Sequence, residues 1–288
     1  MLKIALPNKG RLAQDTRDLF NDAGLEVRAL SERALTASLG GEFEAIFVRA
    51  QDIPEFIADG AAHAGITGLD LITESARPVE SRLDLGFGKC RLVVAARDDS
   101  RFATLDRIPD GARVATAFPG ATARFFNGLG KSVEVVPVSG AAEIAPHLGI
   151  ADVIVDLVST GSTLKTNGLK EVETILSSTA QLVVPINRST WTAAHETALF
   201  ELVMALESVL RARGQRYLMA NVPRAKLDEI KQIIPGLNGP TVIDILNGGT
   251  HVAVHAVVPA ASIYRTIAVL KSLGGEGILV TRIERLMQ

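Results

Sequence analysis

Short apolar runs alternate with amphipathic stretches through the first 180 or so residues of this chain, and that rhythm restricts the fold more than any other feature. Residues 3–6, 44–48, 62–66, 92–96, 113–117, 133–138 and 153–158 are runs of four to six residues dominated by aliphatic side chains. Runs of that length are too short for core helices and fit strands buried on both faces, with the stretches between them as crossovers. The expectation is an α/β fold with largely parallel sheets.

The run from Ala151 to Leu164 reads ADVIVDLVSTGSTL. Residues 153–158 would form a strand that carries one acid, Asp156, with Leu157 and Val158 at its end. A turn of Ser159, Thr160, Gly161, Ser162 and Thr163 follows. At the C-terminal edge of a parallel sheet, backbone N–H groups, hydroxyls and the start of the next helix can converge on a phosphate, and Asp156 can accept hydrogen bonds from ribose hydroxyls. An ordinary βα loop with Asp156 as a helix cap is the alternative.

At 288 residues, the chain has room for two or three domains. A formal net charge of -2, with no polybasic run, argues against nucleic-acid coating and against a membrane surface. No apolar run is long enough to span a bilayer, and the apolar start is too short for a signal peptide. The single Cys90 excludes an intramolecular disulfide and fits a reducing compartment, so the expected location is the cytoplasm.

Residues 52–60 leading into 62–70, and residues 141–149 leading into 152–161, share a pattern about 90 residues apart: a helix ending near glycine, a short strand, and a Thr-Gly turn. Two such units suggest two similar lobes facing a shared cleft, resembling the periplasmic-binding-protein architecture. Lobe I would comprise residues 1–95 with about 180–212, and lobe II residues 96–179. Residues 190–213 read as a long helix, with Ala194, Leu199, Leu202, Val203, Leu206 and Leu210 on one side. Beyond it, residues 214–288 follow a βαββαβ order, a ferredoxin-like α+β domain with Asn247-Gly248-Gly249 as its central hairpin turn.

Asn8-Lys9-Gly10-Arg11 follows the first strand, where two cations could clamp an anion or simply face water. Arg49 and Lys89 stand at comparable positions, Arg49 at a strand end pointing toward the cleft. Gly65-Ile66-Thr67-Gly68-Leu69-Asp70 could receive a base or ribose, or Asp70 could serve the dipole of a following helix. The turn at Phe118-Pro119-Gly120-Ala121-Thr122 could also donate N–H groups to a phosphate. Glu143, read as helical, could orient a ligand or face solvent. His251 and His255 share a strand face but lack a third metal ligand. His63, His147 and His195 look scattered, and no order of Ser, His and Asp or of Cys and His supports covalent catalysis.

Glu143 to Gly149 with Ala151 to Leu164, the opening Leu6-Pro7-Asn8-Lys9-Gly10-Arg11-Leu12 and the run Gly65 to Asp70 together resemble the ATP phosphoribosyltransferase family, across the whole chain and in its long form. Purine and pyrimidine phosphoribosyltransferases carry two adjacent acids before the Thr-Gly turn, whereas here Leu157 follows Asp156. The resemblance implies transfer of the phosphoribosyl group of 5-phosphoribosyl 1-pyrophosphate (PRPP) to N1 of the adenine of ATP, releasing pyrophosphate with Mg²⁺, as the first step of histidine biosynthesis. It assigns PRPP to Asp156 through Thr163, and ATP or pyrophosphate to Lys9, Gly10, Arg11, Arg49, Thr67, Gly68, Asp70 and Lys89. Metal ligands stay unassigned. Histidine would inhibit from the C-terminal domain near Leu237, Gly239, Thr241 and Gly275, and dimers and hexamers are implied. A two-lobed binding module without catalysis is the rival reading.

Overall fold

The structure is a computed structural model that describes residues 1–28, 34–102, 104–246 and 249–287. The chain first lays down β1 (Leu2–Pro7), α1 (Ala13–Asp22), β2 (Thr36–Ser38), β3 (Phe43–Val48), α2 (Ile53–Ala58), β4 (Ala64–Gly68), α3 (Leu69–Ser75) and β5 (Val79–Asp84). It then crosses to β6 (Cys90–Arg97), β7 (Arg113–Thr116), α4 (Pro119–Gly128), β8 (Glu134–Pro137), β9 (Val153–Val158), α5 (Ser162–Thr166) and β10 (Leu169–Ser178), and returns as β11 (Ala180–Pro185). Two sheets result, six-stranded in the order β2-β3-β1-β4-β11-β5 and five-stranded in the order β10-β6-β9-β7-β8. The architecture is two-lobed and periplasmic-binding-protein-like.

Each sheet mixes parallel and antiparallel pairs, and in the first even the edge strand β2 runs antiparallel to β3. β1 pairs in parallel with β3 and β4, and β7 with β8 and β9, whereas β11 runs antiparallel to β4 and β5, and β6 antiparallel to β9 and β10. The expectation of largely parallel sheets is corrected accordingly, because the chain crosses between lobes and returns within each sheet. The boundary expected at residue 95 falls inside β6, which belongs to the second sheet; the outgoing connection lies between Asp84 and Cys90.

Alternation along the strands places the second sheet between two cores. Leu92, Val94, Ala96, Val114, Val153 and Val155 pack on one face, and Val93, Ala95, Ala115, Ile154 and Val158 on the other. A strand buried on both faces has no polar side to show, which is why these segments read as unbroken apolar runs.

The lobes are tied across α3 and α4. Glu74, near the end of α3, accepts hydrogen bonds from the N–H groups of Gly120 (2.9 Å) and Ala121 (2.7 Å) in the first turn of α4. Arg124 returns the contact by donating to the carbonyls of Thr73 and Glu74. The turn at Phe118 to Thr122 is therefore already occupied by an internal carboxylate, which corrects its reading as a phosphate donor.

α6 (Ala193–Ala212) follows, shorter by three residues at its start and one at its end than the expected 190–213, with Ala194 exposed. The division into compact units, Met1–Val203 and Met204–Gln288, falls within it. The second unit contains β12 (Gln215–Pro223), α7 (Leu227–Ile233), β13 (Thr241–Asp244), β14 (His251–Pro259), α8 (Ile263–Ser272) and β15 (Glu276–Arg282). Its sheet order β13-β14-β12-β15 with antiparallel pairing is ferredoxin-like. Leu218, Val222, Val252, Val254 and Val258 turn one face toward Ile230 and Leu270 of the two helices. Asn247 and Gly248 of the expected hairpin turn lie outside the described residues.

Glu74→Ala leaves two N–H groups of α4 without their carboxylate. By the usual worth of a helix-capping acceptor it should cost about 1 kcal/mol in urea unfolding; no measurable loss would mean that the contact contributes nothing to the fold.

Candidate functional site

β9, the central strand of the second sheet, carries Asp156 toward the strand's C-terminal end, and Gly161 makes the turn possible by taking φ +80°, a left-handed value that costs a residue with a side chain. Ser159, Thr160, Ser162 and Thr163 are exposed. The backbone N–H groups of Ser159, Thr160, Gly161 and Thr163 find no acceptor among the described residues, and the Thr160 and Ser162 hydroxyls lie 3.0 Å apart. Successive N–H groups left free around one left-handed residue form a concavity for an anion. A cavity of about 190 Å³ opens there, lined by Glu143, Asp156, Leu157, Val158, Ser159, Thr160, Gly161, Thr163 and Leu164.

Asp156 is half-buried, and its Oδ1 accepts the N–H of Leu157 at 2.8 Å. Burial pushes its carboxyl above the ordinary carboxylate value, the Leu157 hydrogen bond opposes that, and the charge of Glu143 adds to the rise. Glu143 reaches the cavity from a single 3₁₀ turn, Ala142–Ile144, rather than from the expected helix. Ala141 before it holds φ +50°, a left-handed conformation that an alanine adopts only under constraint.

The cationic side of the expected site is assembled separately, since the cavity is lined by the second lobe alone. Lys9, Arg49 and Lys89 are exposed and have no ion-pair partner among the described residues. Gly10 takes φ +86° in the turn after β1. Arg11 donates to the Gly88 carbonyl at 2.5 Å and lies 3.5 Å from Asp70. The Thr67 hydroxyl donates to the Ala50 carbonyl at 2.7 Å, and Asp70 accepts from the Ser178 hydroxyl at 2.5 Å. Both side chains are buried and already partnered. Cys90 lies beside this group, its thiol pushed up first by burial and then by the Asp70 charge.

Ser178 escaped the sequence reading because nothing local marks it; it stands 108 residues from Asp70. The histidines are less scattered than expected: the rings of His63 and His195 lie 4.4 Å apart, and both meet Trp191 edge-on. Burial and the neighbouring His195 hold His63 below its ordinary value. His255 is bonded to the Tyr217 hydroxyl at 2.7 Å, and His251 faces Glu276 at 3.6 Å. In the C-terminal domain, Leu237, Gly239 and Thr241 lead into β13, while Gly275 precedes β15 on the opposite edge of the sheet.

The sequence model described as ATP phosphoribosyltransferase matches residues 49–208, and that of the HisG C-terminal domain matches residues 212–285. The chain belongs to the ATP phosphoribosyltransferase family. The ATP phosphoribosyltransferase of Gemmatimonas aurantiaca is 66% identical over 291 residues, and that of Methanococcoides burtonii 47% over 293, each alignment covering 100% of both chains. Among solved structures, the ATP phosphoribosyl transferase (HisG:HisZ) complex from Thermotoga maritima contains a chain 29% identical, with TM-score 0.61, covering 72% of this chain and 99% of that one. As an ATP phosphoribosyltransferase, the chain is a transferase of histidine biosynthesis.

The fold disfavours the anionic form of Asp156. Its raised folded-state value means a stability penalty that is absent at low pH and develops as pH rises through the carboxylate range. Asp156→Asn should therefore melt no lower than the native chain at neutral pH while losing about a hundredfold or more in turnover. Near-native turnover would remove Asp156 from the site. Glu143→Gln removes a neighbouring negative charge and should move the acid limb of kcat/KM to lower pH; an unmoved limb would contradict that coupling.

Proposed function

We propose that the chain joins N1 of the adenine of ATP to C1 of PRPP and expels pyrophosphate, as the committed step of histidine biosynthesis with feedback inhibition by histidine. The observation that carries this reading is the turn around Gly161, whose free N–H groups stand beside half-buried Asp156 in one cavity. The 5-phosphate of PRPP sits on that turn, and Asp156 accepts hydrogen bonds from the ribose hydroxyls. Glu143 orients the ribose from across the cavity. Lys9, Gly10, Arg11, Arg49 and Lys89 face the phosphates of ATP or the departing pyrophosphate, with Thr67, Gly68 and Asp70 shaping that side from behind.

The N1 lone pair forms the new bond to C1 while the C1–oxygen bond to pyrophosphate breaks and its electron pair leaves with the pyrophosphate. Positive charge grows on the ribose as negative charge grows on the leaving group, so the protein's work is alignment and electrostatics rather than covalent capture. That suits a site without an activated nucleophile. Among the described residues no cluster of three or more His, Cys, Asp or Glu could hold a metal ion. Asp156 and Glu143 line the same cavity, a donor set that fits Mg²⁺ carried mainly by substrate phosphates and touched by one or two carboxylates. When bound, Mg²⁺ supplies charge to the pyrophosphate.

The six-stranded sheet with its helices, and the five-stranded sheet running from Cys90 to Ser178 with its own, act as the two catalytic lobes, and residues 214–288 as the regulatory domain. Histidine binds that domain near Leu237, Gly239, Thr241 or Gly275, in an assembly of dimers and hexamers. A histidine effect requires unequal affinity for two arrangements of the chain. Among the described residues no helix is long and apolar enough to cross a membrane, and the single cysteine supports a cytoplasmic location.

Purified protein with Mg²⁺, ATP and PRPP should release pyrophosphate well above a control without enzyme. Added histidine should slow it, and added salt should lower kcat/KM because both substrates are anions. No release above the control would overturn the catalytic reading, and indifference to histidine would overturn the regulatory one.

A further inference from the structure

Asp70 carries a carboxylate whose side chain is only 1% exposed, at the point where both connections between the lobes cross. Its Oδ1 accepts from the Ser178 hydroxyl at 2.5 Å, and the Asp70 N–H donates to Ser178 Oγ at 3.0 Å. Its Oδ2 lies 3.5 Å from Nη2 of Arg11, whose Nη1 donates to the Gly88 carbonyl at 2.5 Å. Four segments distant in sequence meet here: the turn after β1, the start of α3, the outgoing connection and the end of β10. Gly68 makes room for the arrangement, because a Cβ there would stand 2.1 Å from Asp70 Oδ1.

A buried carboxylate is costly unless its oxygens are fully used, and a neutral side chain would fill the same space without that penalty. What the carboxylate alone provides is negative charge behind Arg11. Arg11 keeps a third of its side chain exposed, with the Cys90 thiol also beside its guanidinium. Two fixed acceptors, the Gly88 carbonyl and Asp70, take the long side chain out of its many rotamers before any ligand arrives, which is preorganisation.

We propose that Asp70 is a positioning residue: with Ser178 it fixes the Arg11 guanidinium at the hinge as a ready-made cation for a substrate's polyphosphate, and Asp70 itself touches no substrate. The proposal rests on the reading of Arg11 as a phosphate-facing residue. Ser178 ends β10, one residue before the chain returns to β11, so the aim of Arg11 is set by the geometry of the link between the lobes.

A double-mutant cycle on the full chain tests this, using Asp70→Asn, Arg11→Ala and the pair. Calorimetric affinity for inorganic pyrophosphate is the first readout and kcat/KM for pyrophosphate release the second, both well below each variant's melting temperature. Asp70→Asn should weaken pyrophosphate binding about tenfold in the native background and less than about twofold in the Arg11→Ala background, the non-additivity of residues acting through one another. Ser178→Ala should behave in the same direction, and its cycle carries the test where Asp70→Asn fails to fold. An equal cost in both backgrounds would overturn the proposal by showing that Asp70 acts without Arg11. Native affinity for pyrophosphate in Arg11→Ala would overturn it as well. A chain that shows the expected cycle in binding but turns over no ATP and PRPP would sink the catalytic reading and leave the positioning role standing.

Discussion

The two connections between the lobes are hydrogen-bonded to each other, and the rest of the catalytic region depends on that crossing. The N–H of Leu85 donates to the Ala180 carbonyl at 2.9 Å, the N–H of Ala180 donates to the Phe87 carbonyl at 2.9 Å, and the N–H of Leu69 donates to the Thr179 carbonyl at 3.1 Å. These bonds make the outgoing and return segments a single ribbon and attach it to the start of α3. The sheets on either side are complete hydrogen-bonded units with their own cores. Their arrangement is therefore set at the ribbon and at the Glu74–α4 contact, where few bonds carry much geometric consequence.

Charge is distributed around this frame in a way that suits transfer between two anionic substrates. The second lobe offers neutral N–H groups and hydroxyls around Gly161, with the carboxylates of Asp156 and Glu143 lining the cavity and Glu171, paired with Arg91, beside Gly161. The cations Lys9, Arg11, Arg49 and Lys89 sit on the first-lobe turns and on the outgoing connection. A site divided in this way can hold a sugar phosphate by dipoles on one side and polyphosphate by full charges on the other. Charged side chains in such a site do most of their work when water is excluded.

The strands with β-branched, doubly buried sequences were legible: residues 153–158 match β9 end to end, and the βαββαβ order of the last domain appears in the structure. β2, β5, β10 and β11 were not. β5 and β10 carry charged residues such as Glu80, Arg82, Lys170, Glu171 and Glu173 on their exposed sides, which broke the apolar signal. The turn at Asp156 to Thr163 was readable because its chemistry is contiguous in sequence. The Asp70–Ser178–Arg11 group was not, because its members are brought together only by the crossing of two connections. Glu74 was hidden for the same reason: an exposed-looking helical acid becomes the cap of a helix in the other lobe.

The central claim is that the turn around Gly161 holds the phosphate of a sugar phosphate whose ribose is gripped by Asp156. A crystal structure of the chain with Mg²⁺ and PRPP tests it directly. The account predicts the 5-phosphate within hydrogen-bond distance of the N–H groups of residues 159–163 and the ribose hydroxyls on the Asp156 carboxylate. A 5-phosphate seated instead against Lys9 and Arg11, with the Gly161 turn empty, would contradict it.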